Sequence, residues 1–368
     1  MLIEIVNFDI SSNIENKTIA LDNILRSHRE RCHIVVSSRK NLKNINGMVQ
    51  LSLEAANALE EIHDSSREYK TLSSKFSVIV KVDFSKEELI SNNEINKQSV
   101  IYISYDYFIK SIRVQPTTLI TENDIDHQMY EQIIQCYLKS NTSLSGLGYS
   151  FQKNCGYGSH IYKVFSDYRD DCKFAFCMVD SDKKHPNAAL GSTAGQFKKD
   201  DFGVIGTTEA RMLSVRELES LIPIGVLEKL ITDGDYPDTS IDILDKIKFL
   251  DSSSNEEFRT YFDHKEGMYL KEAIKPQGKF FWKKFFRNER GINIKSCFKT
   301  DICSECDSCI KIKGLGEKTL ENSIILLQKS NKRNILKSLP PTIRNEWDMI
   351  GTKAISWGCT PLGRRARA

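Results

Sequence analysis

The stretch FAFCMVDSDKKHP, Phe174 to Pro186, decides the fold that we predict for this chain. It begins with a continuous apolar run, and a short run of this kind is typical of a strand that is buried on both faces. The run ends in Asp180, Ser181 and Asp182. Two carboxylates one residue apart at the end of a buried strand repel each other unless a cation lies between them. The stretch therefore predicts a buried parallel strand with a metal site at its carboxyl end.

Predicted strands and helices alternate on both sides of this stretch. A strand over 117–121 ends at Glu122, a helix follows over 126–138, and a second strand over 149–155 ends in a glycine loop. Later, a strand over 210–215 precedes an acidic helix start. This order predicts βαβ units, and hence an α/β fold with a Rossmann-like parallel sheet flanked by helices. Ligands of such sheets bind beyond the carboxyl ends of the strands. That edge gathers Glu122, Gly156, Gly158, Asp180, Asp182, Glu217 and Glu219. The two glycines are candidates for contact with nucleic acid.

The chain is long enough for more than one core, since it has 368 residues of which 40% are hydrophobic. We expect an N-terminal α/β domain over 1–112 with no evident chemical motif, the acidic α/β domain over 113–235, and a mainly helical C-terminal region over 236–368. No apolar run reaches the ~18 residues that a membrane span requires. The first residues also lack the order of a signal peptide. We therefore expect a cytoplasmic protein that does not associate with a membrane.

Three motifs in this order resemble the Toprim domain, which topoisomerases, bacterial primases, recombination mediators and nucleases of the overcoming-lysogenization-defect (OLD) group share. They are Glu122 in LITENDID, Gly156 and Gly158 in NCGYGSH, and Asp180 and Asp182 in MVDSDKK. The later segment RELESLIP resembles the acidic helix start of OLD-like nucleases, with Glu219 preferred to Glu217 as the additional ligand. Toprim proteins often have glycine where this chain has Asn123. The resemblance covers about residues 115–225.

The resemblance implies a Toprim domain that acts as a metal-dependent nuclease. Carboxylate oxygens suit Mg²⁺ or Mn²⁺, and two such ions ~3.5–4 Å apart stabilise both the attacking and the leaving oxygen. Asp180, Asp182 and Glu219 would hold metal, and Glu122 would hold metal or act as the general acid or base. Two lysines, Lys183 and Lys265, are candidates for neutralising charge on the phosphate. Each lysine also fits an ordinary exposed position.

The additional acid after the fourth strand favours hydrolysis of DNA or RNA, tRNA included, as in the OLD-like group. Many members of that group act in bacterial antiphage defence, some of them beside an ATPase. This chain has no Walker motif, GxxxxGK[ST]. If the function requires hydrolysis of ATP or GTP, a partner protein would have to supply it. We therefore expect nucleic acid as the substrate and an ATPase or another defence-system protein as the partner.

The alternative function is a noncatalytic DNA-binding recombination or repair factor of the RecR type. Turnover distinguishes the two. A nuclease loses its turnover when Glu122 or Asp180 is replaced, whereas a binding factor keeps its affinity and has no turnover to lose.

The cysteines form one cluster and a set of isolated positions. The cluster has the spacing Cx5CxxCxxC, which suits a structural Zn²⁺ or, as a second choice, an iron–sulfur cluster. Reduced thiols on an irregular loop are the alternative. The cluster consists of Cys297, Cys303, Cys306 and Cys309. The isolated cysteines are expected to fill core or surface positions, and they are Cys32, Cys136, Cys155, Cys172, Cys177 and Cys359.

A basic and aromatic segment, KPQGKFFWKKFFR, spans Lys275 to Arg287. Its residues Lys283, Lys284 and Arg287 are candidates for contacts with a nucleic-acid backbone, with the aromatic rings stacked on bases. The spacing of the aromatic residues also fits the buried face of a helix, which we favour. A later segment, IKGLGEKTLENSI, resembles the hairpin of helix-hairpin-helix modules, in which glycine amides approach a phosphate.

Overall fold

The computed structural model shows an α/β protein with two mixed sheets that are flanked by helices. It describes residues 1–233, 245, 248, 256–287 and 311–362. The predicted zinc ligands Cys297, Cys303, Cys306 and Cys309 lie outside the described residues, and so do the side chains of Lys284 and Arg287.

The first sheet has the strand order β2-β1-β3-β5-β4, with β4 as an antiparallel edge. Its strands are β1 (Leu2–Val6), β2 (Ile34–Ser37), β3 (Val78–Asp83), β4 (Ile90–Ile95) and β5 (Gln98–Ser104). The flanking helices are α1 (Ile14–Arg29), α2 (Arg39–Met48) and α3 (Leu53–Leu72). Asn96 and Lys97 join β4 to β5 with φ of 51° and 66°, as a two-residue type I′ turn requires. The strand β4 is polar and lies on the surface, so that its sequence has no hydrophobic pattern that would predict a strand.

The second sheet has the order β10-β11-β9-β6-β8, in which β6, β8, β9 and β11 are parallel and β10 is antiparallel. Its strands are β6 (Thr118–Thr121), β8 (Gln152–Cys155), β9 (Ala175–Val179), β10 (Gly203–Ile205) and β11 (Thr208–Met212). A separate strand, β7 (Leu147–Tyr149), precedes β8, and the crossover helices are α4 (Asp124–Ser140) and α5 (Ile161–Asp170). The α/β class and the parallel core of this sheet agree with the sequence prediction.

The strand predicted from FAFCMV is β9, at the centre of the second sheet, and all of its residues are buried. Phe176 and Met178 contribute to the core on one face of the sheet. Ala175, Cys177 and Val179 contribute to a separate cluster on the other face, against α5. Burial on both faces is the physical reason for the continuous apolar run.

Over its described residues, the C-terminal part is mainly helical, and it packs against both sheets. Its elements are α6 (Ile224–Asp233), α7 (Glu256–Arg259), β12 (Gly267–Tyr269), α8 (Leu270–Ala273), α9 (Lys279–Arg287), β13 (Lys311–Lys313), α10 (Thr319–Lys329), α11 (Lys332–Ser338), α12 (Pro341–Gly358) and β14 (Cys359–Pro361). From α12, the Trp357 indole donates to Glu209 on β11, and the Ser356 hydroxyl accepts from the Ser77 amide just before β3. None of the described helices is long and apolar enough to span a bilayer.

The acidic helix start predicted at Arg216–Glu219 is a short 3-10 turn instead, over Leu218–Leu221. Pro223 explains the difference, because the residue before a proline is disfavoured in helical conformation. Ile222 is accordingly extended, and α6 begins immediately after the proline.

Candidate functional site

The predicted acids Glu122 and Asp180 meet at the switch point of the second sheet. The chain goes from β6 to β8 on one side and then to β9 on the other side of β6. Ligands of open α/β sheets bind at this kind of reversal, beyond the carboxyl ends of the strands. Glu122 follows β6, Asp180 follows β9, and the Asp180 amide donates a hydrogen bond of 3.2 Å to Glu122 Oε1. The structure therefore brings two of the predicted motifs into direct contact.

Asp182 ends the turn that follows β9. Its φ of 52° is left-handed, and its amide donates to the Arg216 carbonyl at 2.8 Å. Ser181 secures the same turn by donating from its hydroxyl to the Val215 carbonyl at 2.6 Å. The side chain of Asp182 packs on Gly191, where a Cβ would lie 2.2 Å from Asp182 Oδ2. The turn that carries Asp182 is thus held by the backbone of Val215 and Arg216, and its carboxylate packs against Gly191.

Glu219 is buried and forms an ion pair with Lys265. The distance from Lys265 Nζ to Glu219 Oε1 is 2.7 Å, and the exposed fractions of the two side chains are 41% and 1%. Burial alone lowers the pKa of Lys265, but the Glu219 carboxylate more than offsets this effect, and the pKa is raised. Lys265 therefore carries a positive charge at the edge of the acidic group. The prediction that Lys265 neutralises charge on a phosphate requires such a charge.

Glu217 faces the loop that carries Lys265. Its Oε1 accepts from the His264 amide at 2.9 Å. Arg216 donates from Nη2 to Asp263 Oδ2 at 2.5 Å, and its Nε lies 3.8 Å from Glu217 Oε2. These contacts attach the loop over 263–266 to the end of the second sheet, although the two segments are far apart in sequence.

Asp126 is a member of the acidic group that sequence analysis missed. It lies in the first turn of α4, and its Oδ2 accepts from the Asn123 amide at 2.8 Å. Its charge raises the pKa of both Glu122 and Asp180. Asp126 lies four residues after Glu122, at the start of a helix, and this position could have indicated that it belongs to the acidic group. Arg216 and Asp263 were also missed, because no local pattern shows that they meet.

The pKa values of the acidic group are raised mainly by burial. Burial, with added repulsion from Asp182 and Asp126, raises the pKa of Glu122 to about 7. The pKa of Asp126 is raised to about 6 by burial and by the charge of Glu219. Burial and the neighbouring carboxylates hold the pKa of Asp180 well above its usual range. The edge therefore retains protons near neutral pH unless a cation replaces them.

The donor set of this edge fits a hard divalent cation. Carboxylate oxygens are the ligands that Mg²⁺ and Mn²⁺ prefer, and the acids outnumber Lys265 and Arg216, the cations that contact them. Within the described part of the chain, no three of these carboxylates bring oxygen atoms within 4.8 Å of one another. Binding of an ion would therefore draw the side chains inward. The candidate ligands remain Glu122, Asp180, Asp182, Glu217 and Glu219.

The predicted glycine loop follows β8 at the same edge. A Cβ on Gly156 would lie 2.3 Å from Ile161 Cα, so that glycine permits the close approach of α5. Gly158 has a φ of +69°, with open space around it, and its amide donates to the Glu122 carbonyl at 3.2 Å. The loop therefore has a packing role beside the acidic edge, and its predicted contact with nucleic acid stays a prediction.

A cavity of about 290 Å³ opens next to Asp182. It is also lined by Arg216, Lys184 and Trp282, and the Trp282 indole donates to the Lys184 carbonyl at 2.9 Å. Lys183 is half-buried, and it forms no ion pair with the described residues. Lys183 is therefore less well placed than Lys265 to act with the acids.

The helix α9 confirms that the basic and aromatic segment is helical. Trp282 is 2% exposed and Phe280 is 80% exposed, whereas Phe281 contacts Phe258 and Tyr261. Two of its aromatic residues thus pack inside the protein, in agreement with the favoured core-helix interpretation. Lys283 is partly buried, and its role in binding nucleic acid stays a prediction.

The turn KGLGEK is used for packing inside the protein. The amides of Leu315 and Gly316 donate to the carbonyls of His264 and Lys265 at 2.8 and 2.9 Å. A Cβ on Gly314 would lie 2.2 Å from the Lys265 carbonyl oxygen. The glycines of the supposed hairpin therefore support the loop that carries Lys265, and these two amides are not free to bind a phosphate.

Comparison with known proteins finds no matching family, no matching curated protein and no matching solved structure.

Proposed function

We propose that this protein is a metal-dependent Toprim nuclease that hydrolyses phosphodiester bonds of DNA or RNA at the acidic edge of the second sheet. The observation that supports the proposal most strongly is the contact between Glu122 and Asp180 at the switch point, with Asp126, Asp182 and Glu219 nearby. Buried carboxylates that raise one another's pKa are costly to stability, and such costs are typical of functional sites.

Asp180, Asp182 and Glu219 would hold Mg²⁺ or Mn²⁺, with Glu217 as a further ligand. A bound ion of this kind supplies a Lewis acid for the phosphate and lowers the pKa of a water molecule. Glu122 is suited to proton transfer, because a pKa of about 7 lets it accept and release a proton near neutral pH. Lys265 offers a fixed positive charge for the phosphate.

The test is cleavage of a substrate panel by the purified full-length protein with Mg²⁺ or Mn²⁺. The panel comprises plasmid, linear and single-stranded DNA, total RNA and tRNA. We expect cleavage of at least one substrate, with a loss of a hundredfold or more in Glu122→Gln and Asp180→Asn. Both substitutions keep the shape of the side chain and remove a buried charge, so that the variants should fold at least as well as the original protein.

Asp200→Asn is the matched control, because it removes the charge of an exposed acid from the same part of the chain. Its rate should equal that of the original protein. Between the lysines, Lys265→Met should reduce the rate more than Lys183→Met. Binding of nucleic acid without any turnover, unchanged in Glu122→Gln and Asp180→Asn, would contradict the nuclease and support the noncatalytic RecR-type factor.

A role as an effector of antiphage defence is part of the same proposal. It rests on the role of many OLD-like Toprim nucleases in antiphage defence, since the residues of the site do not themselves indicate a biological role. An ATPase or another protein of the same defence system is the proposed partner. Cells that express the protein together with its genomic neighbours should resist phage, and cells with Asp180→Asn should not.

A further inference from the structure

We propose a second metal site, for Zn²⁺, formed by Asp124, His127 and Cys155, where the start of α4 meets the end of β8. Within the described residues, it is the group of three Asp, Glu, His or Cys side chains whose ligand atoms all lie within 4.8 Å of one another. The site goes beyond the proposed nuclease function, which assigns it no role. Its ligands come from the first turn of α4 and from the last residue of β8.

The tautomer of His127 follows from its neighbours. Its Nε2 lies 3.0 Å from the Leu119 carbonyl oxygen and 3.2 Å from Thr121 Oγ1. The Thr121 hydroxyl donates its own proton to the Asn123 carbonyl at 2.8 Å, so that it can only accept from His127. Since both neighbours are acceptors, Nε2 carries the proton and Nδ1 carries the lone pair.

The lone pair of His127 faces two further electron-rich groups. Nδ1 lies 3.8 Å from Cys155 Sγ and 3.7 Å from Asp124 Oδ1. A nitrogen lone pair and a carboxylate oxygen repel each other unless a proton or a metal ion lies between them. The His127 side chain is fully buried beside these two groups. A metal ion bound by all three atoms removes the repulsion.

The distances and the ligand types favour zinc. Zinc bond lengths of ~2.0–2.3 Å in a tetrahedron place neighbouring ligand atoms about 3.3–3.6 Å apart, so that the two distances from Nδ1 need to shorten by only a few tenths of an ångström. One thiolate, one imidazole and one carboxylate suit Zn²⁺ better than Mg²⁺. The hydrogen bond from Nε2 to a backbone carbonyl is the usual support of a metal-binding histidine.

The site faces solvent on the side of Asp124, from which a fourth ligand can enter. The Asp124 side chain is 78% exposed and Cys155 is partly exposed, whereas His127 is 0% exposed. Three protein ligands with an accessible fourth position are typical of zinc sites that hold a water molecule. A bound zinc would also tie β8 to the turn between β6 and α4, which carries Glu122.

Zinc content of the full-length protein tests the proposal. The proteins are purified without chelators from zinc-supplemented cells. Cys155→Ser should then contain one zinc ion per chain fewer than the original protein. Cys172→Ser is the matched control, because Cys172 is another isolated, partly exposed cysteine, and it should lose none. Zinc bound by the cluster over 297–309 contributes equally to all variants. The readout is independent of cleavage, so that failure of the nuclease proposal does not affect it.

A second variant covers the case in which Cys155→Ser does not fold. Asp124→Asn changes an exposed side chain, and it should weaken zinc binding by about tenfold in competition with a chelator. The proposal is overturned if Cys155→Ser and Asp124→Asn retain as much zinc as Cys172→Ser. In that outcome, the three side chains form only a hydrogen-bonded group.

Discussion

At the scale of single residues, the acidic edge combines a cost to stability with a candidate function. Glu122 has a folded-state pKa of about 7, and its ordinary value is 4.5. It faces the carboxylates of Asp180, Asp182 and Asp126, whereas the hydrogen bond from the Asp180 amide and the charge of Lys265 act in the opposite direction. An arrangement of this kind becomes favourable when a cation binds to it.

The raised pKa of Glu122 predicts how the metal-free protein responds to pH. Between pH 4.5 and about 7, the folded state binds more protons at Glu122 than the unfolded state, so that this contribution to stability falls as the pH rises. Glu122→Gln removes the contribution of Glu122 to the pH dependence, while those of Asp126 and Asp180 remain, and it should stabilise the chelator-treated protein at pH 8 by roughly 1–3 kcal/mol. Urea unfolding of both proteins at pH 5 and pH 8 measures the effect. Equal pH dependence in the two proteins would show that Glu122 is not the group that titrates.

At the scale of elements, the loop between β8 and α5 places the start of a helix close to the acidic edge. Gly156→Ala should destabilise the protein by roughly 2–4 kcal/mol, because its Cβ would overlap with Ile161 backbone. Gly158→Ala is the comparison, with a cost of about 1 kcal/mol for its left-handed φ and no clash. Thermal or denaturant unfolding measures both. Equal costs at the two positions would contradict the close packing of α5.

The elements also show how far the sequence can predict this fold. The strands β6, β8 and β9 were predictable, because they are short apolar or strand-forming runs with acids or glycines at their ends. The extended acidic group was not, because Asp126 serves as a helix-start residue and Lys265 arrives from a distant loop. The proximity of His127 and Cys155 depends on the pairing of β6 with β8, which residue patterns do not specify.

At the scale of the whole molecule, a buried charge joins α12 to the second sheet, and a hydrogen bond between Ser77 and Ser356 joins it to the first. Glu209 on β11 is 0% exposed, and its Oε1 contacts Lys353 and Arg211 at 2.9 and 2.7 Å. The Trp357 indole donates to Glu209 Oε2 at 2.6 Å. Paired in this way, a buried carboxylate holds the C-terminal helix in one position on the sheet.

The indole of Trp357 should therefore contribute more to stability than that of Trp347, which donates to the neutral Leu221 carbonyl. Trp357→Phe should cost roughly 1.5–3 kcal/mol beyond the loss of ring area, and Trp347→Phe roughly 0.5–1.5 kcal/mol. Denaturant unfolding compares the two variants. The opposite order would contradict the role of the Glu209 contacts.

Binding of Mn²⁺ to the chelator-treated protein tests the central claim most directly, namely that the acids after β6 and β9 form a divalent-metal site. Electron paramagnetic resonance of free Mn²⁺ gives the number bound and the affinity. We predict saturable binding that Asp180→Asn weakens by tenfold or more and that Asp200→Asn leaves unchanged. Binding of equal affinity in all three proteins, or no binding to any of them, would contradict the account.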